Sequence, residues 1–154
     1  MATTVTRSRL LGAAQSLCDD FASQKDLTTI LSHFSSASEP KVIEHGEPFL
    51  APFLGRKFIG LQGIQSYFEL LEKHLTYRNM RFAEYIVDVE ERKVAVKGEA
   101  EFTWIITNQK WDETFTYTLD FDENYQVIRY QVWADSGAAY LARIGELDQK
   151  RTRH

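Results

Sequence analysis

The sequence contains very little cysteine. Cys18 is the only one among 154 residues, so the chain cannot form an internal disulfide or a cage of cysteine ligands around a metal. The first twenty residues carry Arg7 and Arg9, then a short apolar stretch, then Asp19 and Asp20. That stretch is too short and too charged for a secretory signal. We therefore expect a cytoplasmic protein.

An excess of positive charge and a long apolar run are also missing. The chain has 18 basic and 22 acidic residues and a net charge of −4. Nucleic-acid-binding domains normally carry a basic face, and the one basic cluster here, Lys150, Arg151 and Arg153, is predicted to be a frayed, solvated end. No apolar segment approaches the roughly 20 residues of a membrane helix. We expect neither nucleic acid nor membrane as a partner.

The first half of the chain has a helical period. Apolar residues recur every three or four positions over residues 8–21, again after Asp26, which is placed to cap a helix, and over residues 61–75. A short strand is predicted over Val42–His45. Residues 47–55 are apolar but contain two prolines, so they fit neither a helix nor a central strand.

The second half has the two-residue period of strands. Strands are predicted over residues 80–89, 93–106, 111–121 and 127–135, separated by polar turns, and a short closing helix over 136–147. Successive hairpins make a meander the simplest topology. The second run would span about 45 Å if straight, and Gly98 near its middle predicts a bulge or bend.

These elements predict a single α+β domain over residues 1–154, with its core at about 8–147. Three N-terminal helices lying across a curved, cone-shaped antiparallel sheet leave an apolar cavity, because the sheet face is wider than the helices can fill. The sequence contains no glycine-rich phosphate loop, no nucleophile elbow and no metal-ligand spacing. We expect no cofactor and no metal, and a small hydrophobic organic ligand.

Three segments resemble a known family. They are residues 42–46 at the first strand, residues 55–64 leading into the third helix, and residues 127–135, closed by residues 141–145. In their order and spacing they are similar to the nuclear transport factor 2-like superfamily, in the branch of SnoaL-like polyketide cyclases, ketosteroid isomerase and scytalone dehydratase. The resemblance implies a cone-shaped sheet. It implies isomerase, cyclase or lyase chemistry in some members and plain binding in others.

Asp135 is the first candidate catalytic residue. It ends the last predicted strand, where the resemblance implies an aspartate acting as general acid/base. A carboxylate beside Trp133 at an aromatic wall would lose solvent, and its pKa would rise toward neutrality. The alternative is that Asp135 only caps the closing helix.

His45 and Asp20 are the other candidate catalytic residues. His45 stands where the resemblance implies a base carboxylate, and alternation allows only one of Glu44 and His45 to face the cavity. Histidine can act as a base near neutral pH. Asp20 lies on the first helix, where scytalone dehydratase carries an aspartate. That enzyme also uses two histidines, and a second cavity histidine is missing here.

Five aromatic residues are predicted to line or support the pocket, although such stripes also form ordinary cores. They are Trp104, Tyr117, Trp133, Tyr85 and Phe102.

Two functions remain open at this point. One is a cofactor-independent enzyme of secondary metabolism that moves protons on a polycyclic or terpenoid-like metabolite. The other is a non-catalytic ligand-binding or dimerisation module. Because the last strand is apolar on both faces, we also expect a homodimer through the outer face of the sheet.

Overall fold

The computed structural model describes residues 4–153, and within them five helices and six strands. The helices are α1 (Arg7–Ala22), α2 (Leu27–Leu31), α3 (Gly60–His74), α4 (Ser136–Arg143) and α5 (Leu147–Thr152). The strands are β1 (Lys41–Glu44), β2 (Lys57–Ile59), β3 (Leu75–Asp88), β4 (Lys93–Trp104), β5 (Gln109–Phe121) and β6 (Val127–Trp133). The predicted α+β class is confirmed.

All six strands form one curved sheet in the order β2-β1-β6-β5-β4-β3. The pairings from β3 through β6 are the predicted meander of antiparallel hairpins, but β1 lies parallel to β6. In that parallel pair Val42 stands beside Tyr130 and Glu44 beside Val132. These four side chains are buried on the inner face, so the pairing of β1 with β6 decides which residues of β1 point inward.

The helices cover one face of the sheet. Thr6 caps α1, with its hydroxyl accepting from the backbone of Arg9, and Asp26 caps α2 as the sequence predicts, accepting from Thr29 at 2.9 Å. The apolar face of α1 packs on β3 and β4, and α3 packs on β1, β2 and β3. No helix among residues 4–153 is long and apolar enough to cross a membrane.

The curl of the sheet comes from two β-bulges in β3. The first inserts Asn79 and Met80, and the second Glu84 and Tyr85, each opposite a single residue of β4. Asn79 and Glu84 have positive φ values of 55° and 58°, and bulges of this kind bend a strand and increase its twist. β3, the edge strand of the sheet, is therefore bent at two points along its length.

Gly98 does not form the predicted bulge, since it pairs in regular register with Phe82 and Phe115 on its two sides. Gly98 matters because it allows a neighbouring side chain to approach the backbone closely. The Phe115 ring lies directly over Gly98, and a Cβ at this position would stand 2.3 Å from Phe115 Cε2. The glycine thus makes room for an aromatic side chain of the inner face.

The end of the chain also differs from the prediction. Residues 136–147 were expected to form one closing helix before a frayed tail. Instead α4 ends at Arg143, Gly145 turns the chain with φ +77°, and α5 follows with Leu147 buried. Arg143 donates to the backbone oxygens of Phe49 and Leu50, both at 3.0 Å, which ties α4 to the proline-containing segment.

Candidate functional site

A pocket of about 130 Å³ lies between the helices and the inner face of the sheet. Three of its lining residues, Lys25, Glu72 and Asp135, are exposed, so we place its mouth beside them, and its buried lining reaches β1, β5 and β6. The volume is close to that of engineered cavities of about 150 Å³ that bind benzene. The pocket therefore has room for one ring of a ligand.

The walls of the pocket are mainly aromatic. Phe21 and Phe68 contribute from the helices, while the sheet contributes Phe102, Trp111, Phe115, Tyr117 and Tyr130. These rings contact one another at centroid distances of 4.8 to 6.1 Å, in tilted, edge-to-face and stacked arrangements. Such packing holds the walls in place and makes them apolar.

Glu44 is one of two buried glutamates that line the pocket. It is the last residue of β1 and only 9% exposed, and the Tyr67 hydroxyl donates to its Oε1 at 2.6 Å. Burial raises the pKa of Glu44 to about 8; the bond from Tyr67 opposes the rise, and the nearby Glu113 adds to it. Burial and the proximity of Glu44 also hold the pKa of Tyr67 well above its usual value, so Tyr67 stays a donor.

Glu113 is the second buried glutamate. It lies on β5, is 8% exposed, and its Oε1 accepts from Trp111 Nε1 at 3.0 Å and from the backbone N–H of Asp135 at 3.2 Å. Burial raises the pKa of Glu113 to about 7, although both hydrogen bonds favour the ionised form. The charge of Asp135 adds a smaller upward contribution.

Both glutamates keep one oxygen free. Among the described residues, no donor contacts Oε2 of Glu44 or Oε2 of Glu113, while each Oε1 is held in place. Lys25 is the one cationic residue that lines the pocket within the described part of the chain, and it is exposed at the mouth. The two carboxyl groups are therefore oriented on one side, free on the other, and not neutralised by a positive charge.

Asp135 lies at the edge of this site, as predicted, and lines the pocket. Its Oδ1 accepts from the backbone N–H of Ala138 at 3.0 Å, which makes it the N-cap of α4. Its own backbone N–H holds Glu113. The capping geometry is thus present, and Asp135 also positions Glu113 through its main chain. Its proposed acid/base role stays a prediction.

His45 does not reach the pocket. It follows Glu44, and alternation turns its ring to the outer face, where Nε2 lies 2.9 Å from Gln131 Oε1. The ring stacks on Trp133 with centroids 4.6 Å apart, and Trp133 is 44% exposed. Of the two alternatives that the sequence left open, Glu44 is the inward one. The expected places of His45 and Trp133 in the pocket are corrected accordingly.

Asp20 also lies away from the pocket lining. Its Oδ2 contacts His33 Nε2 at 2.6 Å, so the pair joins α1 to the end of α2. The side chain pairs with His33 and is not among the residues that line the pocket with Glu44 and Glu113. The dehydratase-like set implied for Asp20 is not assembled here.

The predicted aromatic residues divide into two groups. Tyr117 and Phe102 line the pocket. Trp104 is 2% exposed but packs at the strand end against His74, at a centroid distance of 5.2 Å, and Tyr85, in the second bulge of β3, packs against the hydrophobic core. Trp104 and Tyr85 therefore support the core outside the pocket lining.

Sequence reasoning missed Glu113, Tyr67 and Trp111 as site residues. A signal for Glu113 was present: in the alternation of β5 it shares the inward parity of Trp111, Phe115 and Tyr117. A single carboxyl group within an aromatic face is the residue that burial perturbs most. No comparable signal identified Tyr67, whose partner Glu44 is 23 residues away in the sequence.

The arrangement is suited to moving protons. At neutral pH a carboxyl group with a pKa near 8 is mainly protonated, while one with a pKa near 7 is close to half ionised. An acid and a base with pKa values near the working pH give efficient general catalysis. Within residues 4–153, no group of three or more His, Cys, Asp or Glu side chains is placed to hold a metal ion.

No protein-family model matches the sequence, and a search of curated proteins finds no match. Solved structures do match in three dimensions. A nuclear transport factor 2-like protein from Burkholderia pseudomallei has a TM-score of 0.74 at 14% identity, covering 87% of this chain and 96% of its own. BvnE pinacolase from Penicillium brevicompactum has a TM-score of 0.66 at 17% identity, covering 95% and 98%.

TerC, crystallised with polyporic acid, has a TM-score of 0.74 at 16% identity, and the match covers 88% of this chain and 98% of TerC. At these identities the likeness concerns the fold. The resemblance indicated by the three sequence segments is confirmed at that level, and this chain has the nuclear transport factor 2-like fold shared by SnoaL-like cyclases, isomerases and a pinacolase.

Proposed function

We propose that this protein is a cofactor-independent enzyme that transfers protons on a ring-bearing, enolisable carbonyl compound. The observation that carries the proposal is the pair of buried glutamates in an aromatic pocket, each with Oε1 held and Oε2 free. The proposed reaction belongs to the isomerase, cyclase or dehydratase type.

Glu113 is the proposed base. Trp111 and the backbone of Asp135 hold its Oε1, so Oε2 is the oxygen presented to the pocket. In the proposed step the C–H bond next to the carbonyl breaks, its proton moves to Glu113 Oε2, and its electron pair forms the carbon–carbon double bond of an enol. A base with a pKa near 7 is both ionised often enough and strong enough for this transfer.

Glu44 is the proposed acid. Because Tyr67 donates to Oε1, the proton of the neutral carboxyl group resides on Oε2 and can move to the developing oxyanion. In a β,γ-unsaturated ketone the enol is a dienol, so return of the proton from Glu113 to the γ carbon shifts the double bond. Return of the enol proton to Glu44 completes the isomerisation with no net change in the enzyme.

The pocket volume limits the reacting part of the substrate. About 130 Å³ accommodates one ring, so a polycyclic or terpenoid-like substrate would place one ring inside and extend through the mouth near Lys25 and Glu72. Two proteins of the same fold are associated with organic molecules: one is named a pinacolase, and TerC was crystallised with polyporic acid. A role in secondary metabolism is part of the proposal.

Exchange of hydrogen for deuterium tests the reaction without knowledge of the natural substrate. Cyclohex-2-enone, phenylacetone and 2-tetralone are incubated with the protein in deuterated buffer, and loss of the signal next to the carbonyl is followed by proton NMR. We expect wild type to accelerate exchange of at least one ketone. Glu113→Gln should lower that rate by roughly 10² to 10⁴, and Glu44→Gln by less, because an amide still donates a hydrogen bond.

Asp112→Asn is the matched control, since Asp112 adjoins Glu113 on β5 but is exposed on the outer face. Its exchange rate should equal that of wild type. Exchange that survives Glu113→Gln unchanged would rule out the assignment of the base. Saturable ketone binding with no exchange would instead favour a non-catalytic binding module, the second function that the fold accommodates.

We also propose a homodimer through the outer face of the sheet. Trp133 is 44% exposed there and stacks on His45, which forms an apolar spot on this face. Static light scattering at micromolar concentration should give twice the chain mass for wild type and a lower mass for Trp133→Glu. A wild-type monomer would contradict the dimer.

A cytoplasmic location is likewise a proposal, supported by the single, buried cysteine. Fractionation of cells that express the tagged chain should recover it with cytosolic markers, and recovery in a secreted fraction would contradict the proposal.

A further inference from the structure

The pocket contains an unusual combination of groups for a neutral ligand alone. Its walls are lined by aromatic rings, its interior holds two buried carboxyl groups, and its one lysine within the described residues is exposed to solvent. Aromatic faces attract cations through their quadrupole, and carboxylates attract them through charge. Both features favour the same sign of ligand charge.

We propose that the pocket binds ring-bearing amines in their protonated form, with the ammonium group held by Oε2 of Glu44 and Oε2 of Glu113. This binding concerns the same pocket but does not depend on the proton-transfer reaction. The two oxygens are the free acceptors of residues that are 9% and 8% exposed. Each Oε2 has no protein donor among the described residues, and an ammonium group supplies up to three donors.

The rest of the pocket is compatible with a cation. Tyr67, Tyr117 and Tyr130 all have pKa values raised well above the usual value by burial, so they stay neutral and leave their ring faces available. Toward the mouth, Glu72 and Asp135 add negative charge, and Lys25 is the opposing group. An anionic ligand would meet four carboxyl groups and one lysine, so the same geometry disfavours carboxylates.

The binding should depend on pH in a defined direction. A cation favours the ionised forms of Glu44 and Glu113, whose pKa values are raised to about 8 and about 7. Amine affinity should therefore increase as pH rises, by about tenfold between pH 6 and pH 8 if Glu113 alone must ionise, until the amine loses its own proton. Binding below pH 8 should release protons into the buffer.

Three probes of one size test the charge preference: benzylamine, benzyl alcohol and benzoate. Isothermal titration at pH 6 and pH 8, in two buffers with different ionisation enthalpies, measures affinity and proton release together. At pH 8 we expect benzylamine to bind wild type at least tenfold more tightly than benzyl alcohol, and benzoate to bind more weakly than either. Proton release should accompany benzylamine only.

Glu113→Gln and Glu44→Gln should bring benzylamine affinity close to that of benzyl alcohol, whereas Asp112→Asn should retain the wild-type ratio. If a glutamine variant fails to fold, the comparison of the three probes on wild type still tests the proposal. Equal binding of amine and alcohol to wild type at pH 8, or binding of benzoate as tight as that of the amine, would overturn the proposal. Amine preference without ketone exchange would overturn only the proposed reaction.

Discussion

Carboxyl groups on the two faces of the sheet have different partners. On the outer face Glu101 is paired with Arg78, and Asp120 with Arg129 at 2.7 Å. On the inner face Glu44 and Glu113 have only neutral donors among the described residues. The pKa of Glu101 is lowered, first by its hydrogen bond with Arg78, while burial raises those of both inner glutamates.

This difference suggests that the outer carboxyl groups have a structural role and the inner pair a functional one. Pairing an exposed carboxylate with an arginine is nearly neutral for stability, whereas burying a carboxyl group without a cation is costly. A well-packed apolar residue at position 44 or 113 would stabilise the aromatic wall more. Local features that cost stability tend to mark functional sites, so the inner pair rather than the outer pairs identifies the site.

The pH dependence of stability gives the largest expected effect. For a carboxyl group with a folded pKa above the unfolded value of about 4.5, the stabilising contribution is fully present below pH 4.5. It is lost as pH rises through the folded pKa. With a pKa near 7, Glu113 should lower the free energy of unfolding by about 3 kcal/mol between pH 4.5 and pH 9. The slope is about 1.4 kcal/mol per pH unit below its folded pKa.

Glu113→Gln removes that titration. Urea unfolding at pH 5 and pH 9 should show the variant gaining stability relative to wild type at the higher pH, by an amount on the order of 3 kcal/mol. Glu101→Gln is the outer-face control. Because the pKa of Glu101 is lowered, it stays ionised across this range, and its difference from wild type should not change with pH. Parallel curves for Glu113→Gln and wild type would contradict the comparison.

A glycine substitution tests how closely the inner face is packed. In Gly98→Ala the new Cβ would stand 2.3 Å from Phe115 Cε2, and that ring is confined by Phe82, Phe102 and Tyr117. We expect a loss of about 1–3 kcal/mol in the free energy of unfolding, measured by denaturant titration.

Gly12→Ala is the contrasting variant on the solvent side of α1, where a Cβ meets nothing within 4 Å. Helix propensity alone should raise stability there, by up to about 1 kcal/mol. If Gly98→Ala were equally stabilising, the Phe115 ring would have to move freely, and the inner wall would not be rigid.

Two tryptophans test which aromatic residues contact a ligand. Trp111 lines the pocket and donates to Glu113, whereas Trp104 packs outside it. Trp111→Leu should therefore weaken benzyl alcohol binding about tenfold and abolish most quenching of tryptophan fluorescence, while Trp104→Leu should change affinity little. The sequence alone predicts the opposite order, with the larger effect for Trp104→Leu, because Trp104 is predicted to line the pocket and Trp111 to lie nearer a hairpin turn. A larger effect for Trp104→Leu would place the ligand elsewhere.

Much of the fold could be predicted because its signals are local. Periodicity identified α1, α3 and the meander, and Asp26 marked the start of α2. The bulges in β3 could not be predicted, because Asn79 and Glu84 take positive φ values only in response to pairing with β4. Gly98 was identified as special, but for a bend rather than for the approach of Phe115.

The site was harder to predict because it depends on contacts that are distant in sequence. Whether Glu44 or His45 points inward is decided by the parallel pairing of β1 with β6. The partner of Glu44 comes from α3, and the second donor to Glu113 is the backbone of Asp135, 22 residues further along. Alternation along β5 assigns Glu113 to the aromatic face, so the sequence contained a signal for this glutamate, although it was not identified from the sequence.

The smallest expected effect concerns Asp135, which follows β6 and lines the pocket beside the inner face. Its Oδ1 caps α4, and asparagine retains an acceptor oxygen at that position but cannot carry a proton. If Asp135 only caps the helix, Asp135→Asn should cost well under about 1 kcal/mol, and Asp135→Ala about 1 kcal/mol, with ketone exchange unchanged in both. If Asp135 is itself the acid/base, Asp135→Asn should lower exchange by roughly 10² to 10⁴ while stability persists.

The backbone N–H that holds Glu113 is retained in both variants, so a change in exchange would report on the side chain alone. We expect the capping result, since the inner glutamates already provide an acid and a base, and full loss of exchange in Asp135→Asn would transfer the catalytic assignment to Asp135.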